Sequence, residues 1–229
     1  MQKVIVIVGP TASGKSALAV EIARAIGGEV ISADSRQVYR GLNIGTGKIT
    51  KREMCGVRHH LLDIASPSRT FTADDFARRG RTAIADIAGR GKVPIIAGGT
   101  GFYIDILLGR ITPSPVPADR TLRAKLARKT RPQLLALLKR RDPKRASDII
   151  AKRETNNRHR LIRAVEVSYG HSTARAALPQ YEAIWIGIRP ERDLLRRRIR
   201  ERLLERLKKG MIREAERLHE NGLSWKRMG

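Results

Sequence analysis

Residues 3–16 read KVIVIVGPTASGKS, and this stretch decides the fold. Its first half, residues 3–8, is a continuous apolar run rich in β-branched residues, as in a buried strand of a parallel sheet. Its second half, residues 9–16, matches the pattern G-x-x-x-x-G-K-[ST]. A helix is predicted from Lys15 to Ile26, ended by two glycines. A strand, a glycine-rich turn and a helix in this order are typical of a phosphate-binding site.

The turn over residues 9–16 has the chemistry that a phosphate group requires. Its glycines allow backbone N–H groups to point inward at phosphate oxygens, and the start of the helix adds positive potential. Lys15 supplies a positive charge, and the Ser16 hydroxyl can bind Mg²⁺. The motif predicts a phosphate site without identifying the phosphate compound.

The sequence around this motif predicts an α/β fold. Residues 29–33 (EVISA) and 93–97 (VPIIA) are two further predicted strands, and a helix is predicted from Thr72 to about Gly89. The stretch from Asp34 to about Ser68 is rich in loop-forming residues. Strands that alternate with helices indicate a parallel sheet.

The pattern changes after residue 112. Three prolines between residues 113 and 117 form a stiff connector, and the sequence that follows is helical and strongly basic. Residues 183–188 (AIWIGI) are again a predicted strand, and residues 190–222 are two predicted helices that meet at Gly210. Residues 1–112 are therefore predicted to begin an α/β core, 113–182 to be a helical basic insertion, and 183–229 to return to the core and to be truncated.

The charge points to a polyanionic partner. The chain of 229 residues has a formal net charge of +25, and residues 119–175 hold 17 Lys and Arg against 5 Asp and Glu. An RNA fits this surface better than a membrane does, because no long basic helix with aromatic anchors is present. A bias of the lineage toward arginine is the alternative. Aromatic residues make up 4% of the chain, which argues against base stacking on an open platform.

Other features exclude several classes of protein. There is no apolar run of about 18 residues, so no membrane span is expected. The single cysteine, Cys55, excludes an internal disulfide and a cysteine-rich zinc site. The residues before Gly9 do not form a signal peptide, and a cytoplasmic protein is expected. His59-His60 is expected to serve structure rather than to bind a metal, since no acidic or cysteine cluster lies at ligand spacing.

Two polar residues follow predicted strands and are candidate site residues. Asp34 follows residues 29–33, and Thr100 follows residues 93–97 within the sequence GGTG. Ligands of parallel α/β sheets bind at the carboxyl ends of the strands, so both should face the phosphate site. Asp34 could act as a general base, a metal ligand or a cap of its turn. Thr100 could bind a ligand or cap the next helix.

Several segments together resemble the tRNA dimethylallyltransferase (IPP transferase) family. These segments run through most of the chain, and they are GPTASGKS (9–16), ISADSRQVYRGLNIGTGK (31–48), HHLLDI (59–64), FTADDF (71–76), PIIAGGTGFYI (94–104), LIRAVEV (161–167) and LKKGMIREAERL (207–218).

The resemblance implies a P-loop NTPase-like parallel sheet core with a helical insertion domain that clasps the anticodon stem-loop of tRNA. It also implies transfer of a dimethylallyl group from dimethylallyl diphosphate to the N6 amine of the adenosine 3′ to the anticodon, by a monomer with Mg²⁺. Asp34 would be the general base and Thr100 would contact the diphosphate. The other implied diphosphate ligands are Gly9, Thr11, Ala12, Ser13, Gly14, Lys15 and Ser16, with Ser16 also on the metal. The implied tRNA contacts are Asp34, Ser35, Arg36, Gln37, Thr100, Arg123, His159, Arg160, Leu161, Ile162 and Arg163.

Three residues depart from the family pattern: Arg36 stands at a position that is usually small or apolar, and Asn157 and His159 replace Asp and Gln. A late segment of the family, rich in Gly, Tyr, Arg and Gln, does not occur. Two alternatives remain, a P-loop nucleotide or small-molecule kinase and an RNA-binding protein with a vestigial P-loop.

Overall fold

The computed structural model describes residues 1–112, 114, 116–170 and 180–228. The chain divides into two compact units, of which unit 1 comprises Met1–Thr112 with Leu178–Gly229 and unit 2 comprises Pro113–Ala177. The elements in chain order are β1 (Gln2–Val8), α1 (Lys15–Ile26), β2 (Glu29–Ser32), α2 (Lys51–Met54), β3 (His59–His60), α3 (Ala73–Gly89), β4 (Pro94–Gly98), α4 (Gly101–Leu107), α5 (Arg120–Leu126), α6 (Arg131–Arg141), α7 (Pro143–Ala151), α8 (Arg158–Tyr169), β5 (Tyr181–Gly187), α9 (Arg192–Lys208), α10 (Met211–Glu220) and α11 (Trp225–Met228).

Unit 1 is built on a parallel sheet with the strand order β3-β2-β4-β1-β5. β1 is flanked by β4, with Ile5 paired to Ile95, and by β5, with Gln2 paired to Tyr181. The α/β fold with a parallel sheet is therefore confirmed. The order brings the carboxyl ends of β1, β4 and β2 side by side, so the loops that follow these three strands meet at one edge of the sheet.

Both faces of the sheet are covered, because successive strand residues point to opposite sides. Val4 and Val6 of β1 belong to the cluster that includes Phe76 of α3 and Leu107 of α4. Ile7 belongs to the cluster on the other face, with Ala19 and Ala23 of α1. Unit 1 thus has three layers of helix, sheet and helix.

The predicted strands and helices agree with the observed ones to within about two residues. The Thr72 side chain caps α3 together with Asp75, which confirms the predicted start of that helix. Tyr181 and Glu182, which the sequence places in the insertion, are the first residues of β5. The stretch predicted as loop between Asp34 and Ser68 also contains α2 and the short strand β3. Both elements are too short to show a periodic pattern.

A buried carboxylate lies at the amino end of β2. Glu29 is 1% exposed, and it accepts hydrogen bonds from both guanidinium nitrogens of Arg90, at 2.5 and 2.7 Å. Lys92 lies 2.9 Å and His60 Nε2 2.7 Å from the same carboxylate. These contacts hold the pKa of Glu29 well below its usual range, chiefly through the Arg90 hydrogen bonds. His60 thus serves structure, as expected.

Unit 2 consists of helices α5 to α8 around their own small core. Its core residues include Leu126, Leu134, Leu138, Leu161 and Val165. The prediction that the segment after the prolines is helical is confirmed. In the part of the chain that the structure describes, no helix is long and apolar enough to cross a membrane.

Candidate functional site

The P-loop, residues 9–16, connects β1 to α1 in a conformation suited to anions. Ala12 and Gly14 have positive φ angles of 64° and 98°, and an alanine in this region of φ is uncommon. Such strained residues cluster at ligand sites. The hydroxyl of Ser13 is buried and has no hydrogen-bond partner among the described residues, so it can donate to a bound group.

Lys15, the first residue of α1, is turned back onto its own loop. Its Nζ donates to the Pro10 carbonyl oxygen at 2.6 Å. Burial lowers the pKa of the Lys15 ammonium, the Asp34 carboxylate opposes this change, and Arg202 adds to it. The ammonium therefore lies in the electrostatic field of both Asp34 and Arg202.

A depression of about 380 Å³ opens over the P-loop. Residues 12–17 form one wall, and Glu53, Arg198 and Arg202 form the other. Neither Arg198 nor Arg202 makes an ion pair with any residue that the structure describes. Two guanidinium groups beside a lysine form a site for an anion with several charges, although the Glu53 carboxylate also lines the depression and interacts electrostatically with Arg202.

Neither arginine was identified from the sequence as a candidate site residue. Arg198 and Arg202 are four residues apart on α9 and so share one face of the helix. That spacing is visible in the sequence, but it cannot tell which neighbour the face meets.

Asp34 lies directly after β2 and caps the turn that it begins. Its Oδ1 accepts hydrogen bonds from the backbone N–H groups of Arg36, at 2.8 Å, and Gln37, at 3.3 Å. The cap is one of the three roles considered for this residue. Oδ2 accepts no hydrogen bond from the described residues, so it is the oxygen that can take a proton. One carboxylate can therefore combine the cap with the role of a base.

Thr100 connects the loop after β4 to the loop after β2. Its Oγ1 accepts a hydrogen bond from the Ser35 N–H at 3.2 Å, and its own N–H donates to the Ala33 carbonyl oxygen at 3.2 Å. Thr100 stands at the N-cap position of α4, yet its side chain makes no capping bond to that helix. A side chain at Gly98 would collide with the Ala33 carbonyl, so this close approach requires glycine.

Gln37 and Lys48 hold the rest of the segment after Asp34. The Gln37 side chain accepts from the Ser32 hydroxyl at 3.4 Å and donates to the Gly47 carbonyl oxygen at 3.3 Å. Lys48 Nζ donates to the Tyr39 carbonyl oxygen, at 2.7 Å, and forms an ion pair with Asp63. Gln37 is therefore engaged within the protein. Arg36 is exposed and donates to the Arg227 carbonyl oxygen at 3.4 Å.

In unit 2, two of the predicted tRNA contacts are instead bound to a buried acid. Glu166, which is 1% exposed, accepts from Arg123 Nε and Nη2, both at 2.8 Å. It also accepts from Arg163 Nη1 at 2.5 Å, and Arg163 donates to the Val116 carbonyl oxygen. Both arginines thus stabilise unit 2, since removal of either leaves a buried charge with fewer partners.

The remaining predicted contacts lie on α8. The Leu161 side chain is 0% exposed and belongs to the core of unit 2, so the expectation that it contacts tRNA is wrong for this side chain. Ile162 packs against the same core. His159 and Arg160 are exposed, and Arg160 forms an ion pair with Glu154. Among the predicted tRNA contacts on α8, His159 and Arg160 are therefore the two whose side chains a large anion can reach.

Comparison with known proteins gives a consistent result. The family model described as IPP transferase matches residues 37–229. A tRNA dimethylallyltransferase of Leuconostoc citreum is 42% identical over 95% of this chain and 73% of that protein. A tRNA dimethylallyltransferase 2 of Treponema denticola is 42% identical over 98% of this chain and 76% of that protein.

Solved structures agree with this similarity. The full-length tRNA isopentenylpyrophosphate transferase of Bacillus halodurans aligns with 98% of this chain and 72% of its own, at a TM-score of 0.69 and 38% identity. A eukaryotic dimethylallyltransferase acting on tRNA aligns with 96% of this chain and 56% of its own, at a TM-score of 0.79 and 28% identity.

Proposed function

Because this chain belongs to the IPP transferase family, we propose that it transfers a dimethylallyl group from dimethylallyl diphosphate to tRNA. The acceptor is the N6 amine of the adenosine 3′ to the anticodon, and diphosphate is released. The observation that carries the proposal is the meeting of three features in unit 1: an anion-binding P-loop, two arginines that make no ion pair with the described residues, and a carboxylate with one unengaged oxygen. A phosphoryl-transfer enzyme can use the same three features, so it is the family membership that favours prenyl transfer.

The diphosphate is the leaving group, and its charge has to be neutralised as the carbon–oxygen bond breaks. Backbone N–H groups of residues 11–16, the Lys15 ammonium, and the guanidinium groups of Arg198 and Arg202 supply this stabilisation. The buried hydroxyl of Ser13 gains its missing partner when it donates to a diphosphate oxygen. Thr100 can contact the diphosphate near the breaking bond.

Mg²⁺ is the proposed metal ion. Ser16 lines the P-loop depression with an exposed hydroxyl, and a hydroxyl, diphosphate oxygens and water are ligands that Mg²⁺ accepts. When bound, the ion adds positive charge to the leaving group. The residues present fit this ion, with Ser16 as its protein ligand.

Asp34 is the proposed general base. An exocyclic adenine amine is a weak nucleophile, and removal of its proton during attack makes the transfer possible. Asp34 Oδ2 takes this proton while Oδ1 keeps the cap to Arg36 and Gln37. An adenosine stacked within the anticodon loop is out of reach of the carboxylate, so the base has to be extruded.

We propose a tRNA contact in each unit, considered separately. In unit 1 the contact is the turn of Ser35, Arg36 and Gln37 beside Asp34. In unit 2 it is the exposed start of α8 with His159 and Arg160, within the strongly basic segment of residues 119–175. We further propose a monomer, and a cytoplasmic location, where tRNA is found.

Incubation with an unmodified tRNA and labelled dimethylallyl diphosphate tests the function, with labelled ATP in a parallel reaction. The label of the prenyl donor is expected in the tRNA, and no label is expected from ATP. A tRNA with guanosine at the target position is the control, because guanosine lacks the acceptor amine. Transfer of a phosphoryl group from ATP would instead establish the kinase alternative.

A further inference from the structure

Glu214 of α10 is a buried carboxylate held by backbone N–H groups. It is 6% exposed. The Asn43 N–H lies 3.1 Å from both of its oxygens, the Ile44 N–H donates to Oε2 at 2.9 Å, and the Gly45 N–H donates to Oε1 at 3.0 Å. Consecutive N–H groups that converge on one anion form a strong, directional attachment. Residues 43–45 are thus fixed to α10.

The neighbouring helix α9 lacks such an attachment of its own to the core. None of its side chains is buried, and its apolar residues Ile199, Leu203 and Leu207 are 38–46% exposed. A helix without a buried face gains little from packing. The position of α9 therefore depends on its junctions with β5 before it and with α10 after it, and on its contacts with the segment that follows Asp34.

Arg206 attaches α9 to the segment that Glu214 holds, whereas Arg198 and Arg202 line the depression with the P-loop and Glu53. Arg206 of α9 donates to the Gly45 carbonyl oxygen at 3.4 Å, and its guanidinium fills the space that a side chain at Gly47 would take. Gly210, with a φ of 94°, joins α9 to α10. Glu214 and Arg206 thus attach both helices to residues 43–47.

We infer that Glu214 is a positioning residue that holds Arg198 and Arg202 of α9 over the P-loop. It touches neither the diphosphate nor the tRNA, and it acts through the placement of the two guanidinium groups. The inference rests on the proposed function in one respect, namely that the P-loop depression binds a diphosphate.

Glu214 could either stabilise the fold alone or also position the arginines, and these two roles predict different results. Loss of stability alone lowers the melting temperature and leaves the affinity of the folded protein for a diphosphate unchanged. Loss of positioning lowers that affinity, and it does so only while the arginines are present. The two effects can be separated by a double-mutant cycle.

Binding of inorganic pyrophosphate in the presence of Mg²⁺, measured by isothermal titration calorimetry on the full chain, provides the test. Glu214→Gln puts an amide group against N–H donors, and it is expected to weaken pyrophosphate binding about tenfold, a factor of the size that one misplaced charged contact produces. Glu220→Gln makes the same charge change at an exposed position of α10 and is expected to leave binding unchanged. In the Arg202→Ala background, Glu214→Gln is expected to add less than about twofold.

Three results would overturn the inference. If Glu214→Gln is less stable but binds pyrophosphate with unchanged affinity, Glu214 only stabilises the fold. The same conclusion follows if Glu214→Gln still weakens pyrophosphate binding about tenfold in the Arg202→Ala background. If Glu214→Gln does not fold, Glu214→Asp takes its place, because it keeps the charge but shortens the side chain. An unchanged pyrophosphate affinity of Glu214→Asp would also show that Glu214 only stabilises the fold. Failure of the unaltered protein to bind pyrophosphate would refute the anion site itself, and hence the proposed function as well.

Discussion

The hydroxyl oxygen of Thr100 accepts a hydrogen bond from the backbone N–H of Ser35 at 3.2 Å, across 65 residues of sequence. This bond ties the loop after β4 to the first residue beyond Asp34. The proposed base and the proposed diphosphate contact are therefore parts of one connected structure, and a change at either is expected to be felt at the other.

Thr100→Val and Thr100→Ser test this connection. Valine keeps the shape but cannot accept from Ser35, whereas serine keeps the oxygen. Thr100→Val is expected to lower the rate of prenyl transfer by about tenfold or more, as expected when a hydrogen bond of about 1–2 kcal/mol is lost in a catalytic site. Thr100→Ser is expected to keep most of the rate in a single-turnover assay. Equal rates for the two variants would exclude a role for the oxygen.

Asp34→Asn separates the two roles of Asp34. The asparagine oxygen can still accept from Arg36 and Gln37, so the cap is preserved, but the side chain can no longer take a proton. The expected result is a loss of about 10²–10⁴ in the rate of prenyl transfer, with tRNA affinity within a few-fold. Asp34→Ala removes the cap as well and is expected to lower the melting temperature further. A full single-turnover rate in Asp34→Asn would remove Asp34 as the general base.

Lys15→Ala, Arg198→Ala and Arg202→Ala are expected to weaken the binding of dimethylallyl diphosphate more than that of tRNA. Each removes a positive charge from the P-loop depression, and a loss of about tenfold to a hundredfold in affinity corresponds to one hydrogen bond between charged groups. Arg196→Ala is the matched control, since Arg196 is exposed and pairs with Asp193 on the same helix. Binding can be measured by thermal stabilisation. Stabilisation by ATP and not by the prenyl donor would favour the kinase alternative.

Glu29 is expected to make the stability of the protein dependent on pH in the acidic range. Its pKa in the folded protein is depressed below 4.5, chiefly by hydrogen bonds from Arg90, so its contribution is complete above pH 4.5 and is lost as the pH falls toward the folded pKa. Glu29→Gln is expected to cost about 1–3 kcal/mol at neutral pH, because Arg90 and Lys92 retain access to water. Urea denaturation should be measured from about pH 3 to about pH 7, a range that includes the ordinary carboxyl pKa. The free energy of unfolding is expected to depend less on pH in the variant than in the unaltered protein. A slope below pH 4.5 equal to that of the unaltered protein would contradict this role.

Arg160→Ala is a cleaner test of the basic unit than a change that includes Arg163. Arg163 holds the buried Glu166, so its replacement is expected to destabilise unit 2 and to obscure any effect on tRNA. Arg160→Ala is expected to weaken all tRNA substrates about equally and to reduce the salt dependence of binding by about 0.7–0.9 in log–log slope, the effect of one phosphate contact. Filter binding at several salt concentrations measures this slope. An unchanged slope would remove Arg160 from the tRNA-binding surface.

The core of the fold could be predicted because its signals are local. The β-branched runs at residues 3–8 and 93–97 and the Thr72 cap each determine their element with little help from the rest of the chain. The strand His59–His60 could not be predicted, because two residues without an apolar pattern form a strand only when β2 is there to pair with them. The helices α5, α6 and α8 of unit 2 were predictable from the spacing of their apolar residues, whereas α7, which contains no leucine, could not be predicted in this way.

In the candidate site, only the residues that belong to a recognisable sequence motif could be predicted. The P-loop, Asp34 and Thr100 follow strands, and strand ends mark the site in this class of fold. Arg198 and Arg202 lie in a helix whose charges all look alike in the sequence. Their placement at the P-loop depends on contacts between residues that are 161 and 171 positions apart. Conversely, Arg123 and Arg163 are basic residues in a basic segment, and no local signal shows that the buried Glu166 engages them.

The pairing of β5 with β1 has a consequence for the biogenesis of the protein. β5 pairs with β1 along its entire length, from Gln2 with Tyr181 to Val8 with Gly187, yet it is synthesised only after the whole of unit 2. During translation the first strand of the protein therefore has one open edge until residue 187 has left the ribosome, and an open strand edge is prone to aggregation. The arginines that complete the anion site are translated later still. The nascent chain thus carries its phosphate-binding loop from the outset, but the anion site is completed only after α9 has been synthesised.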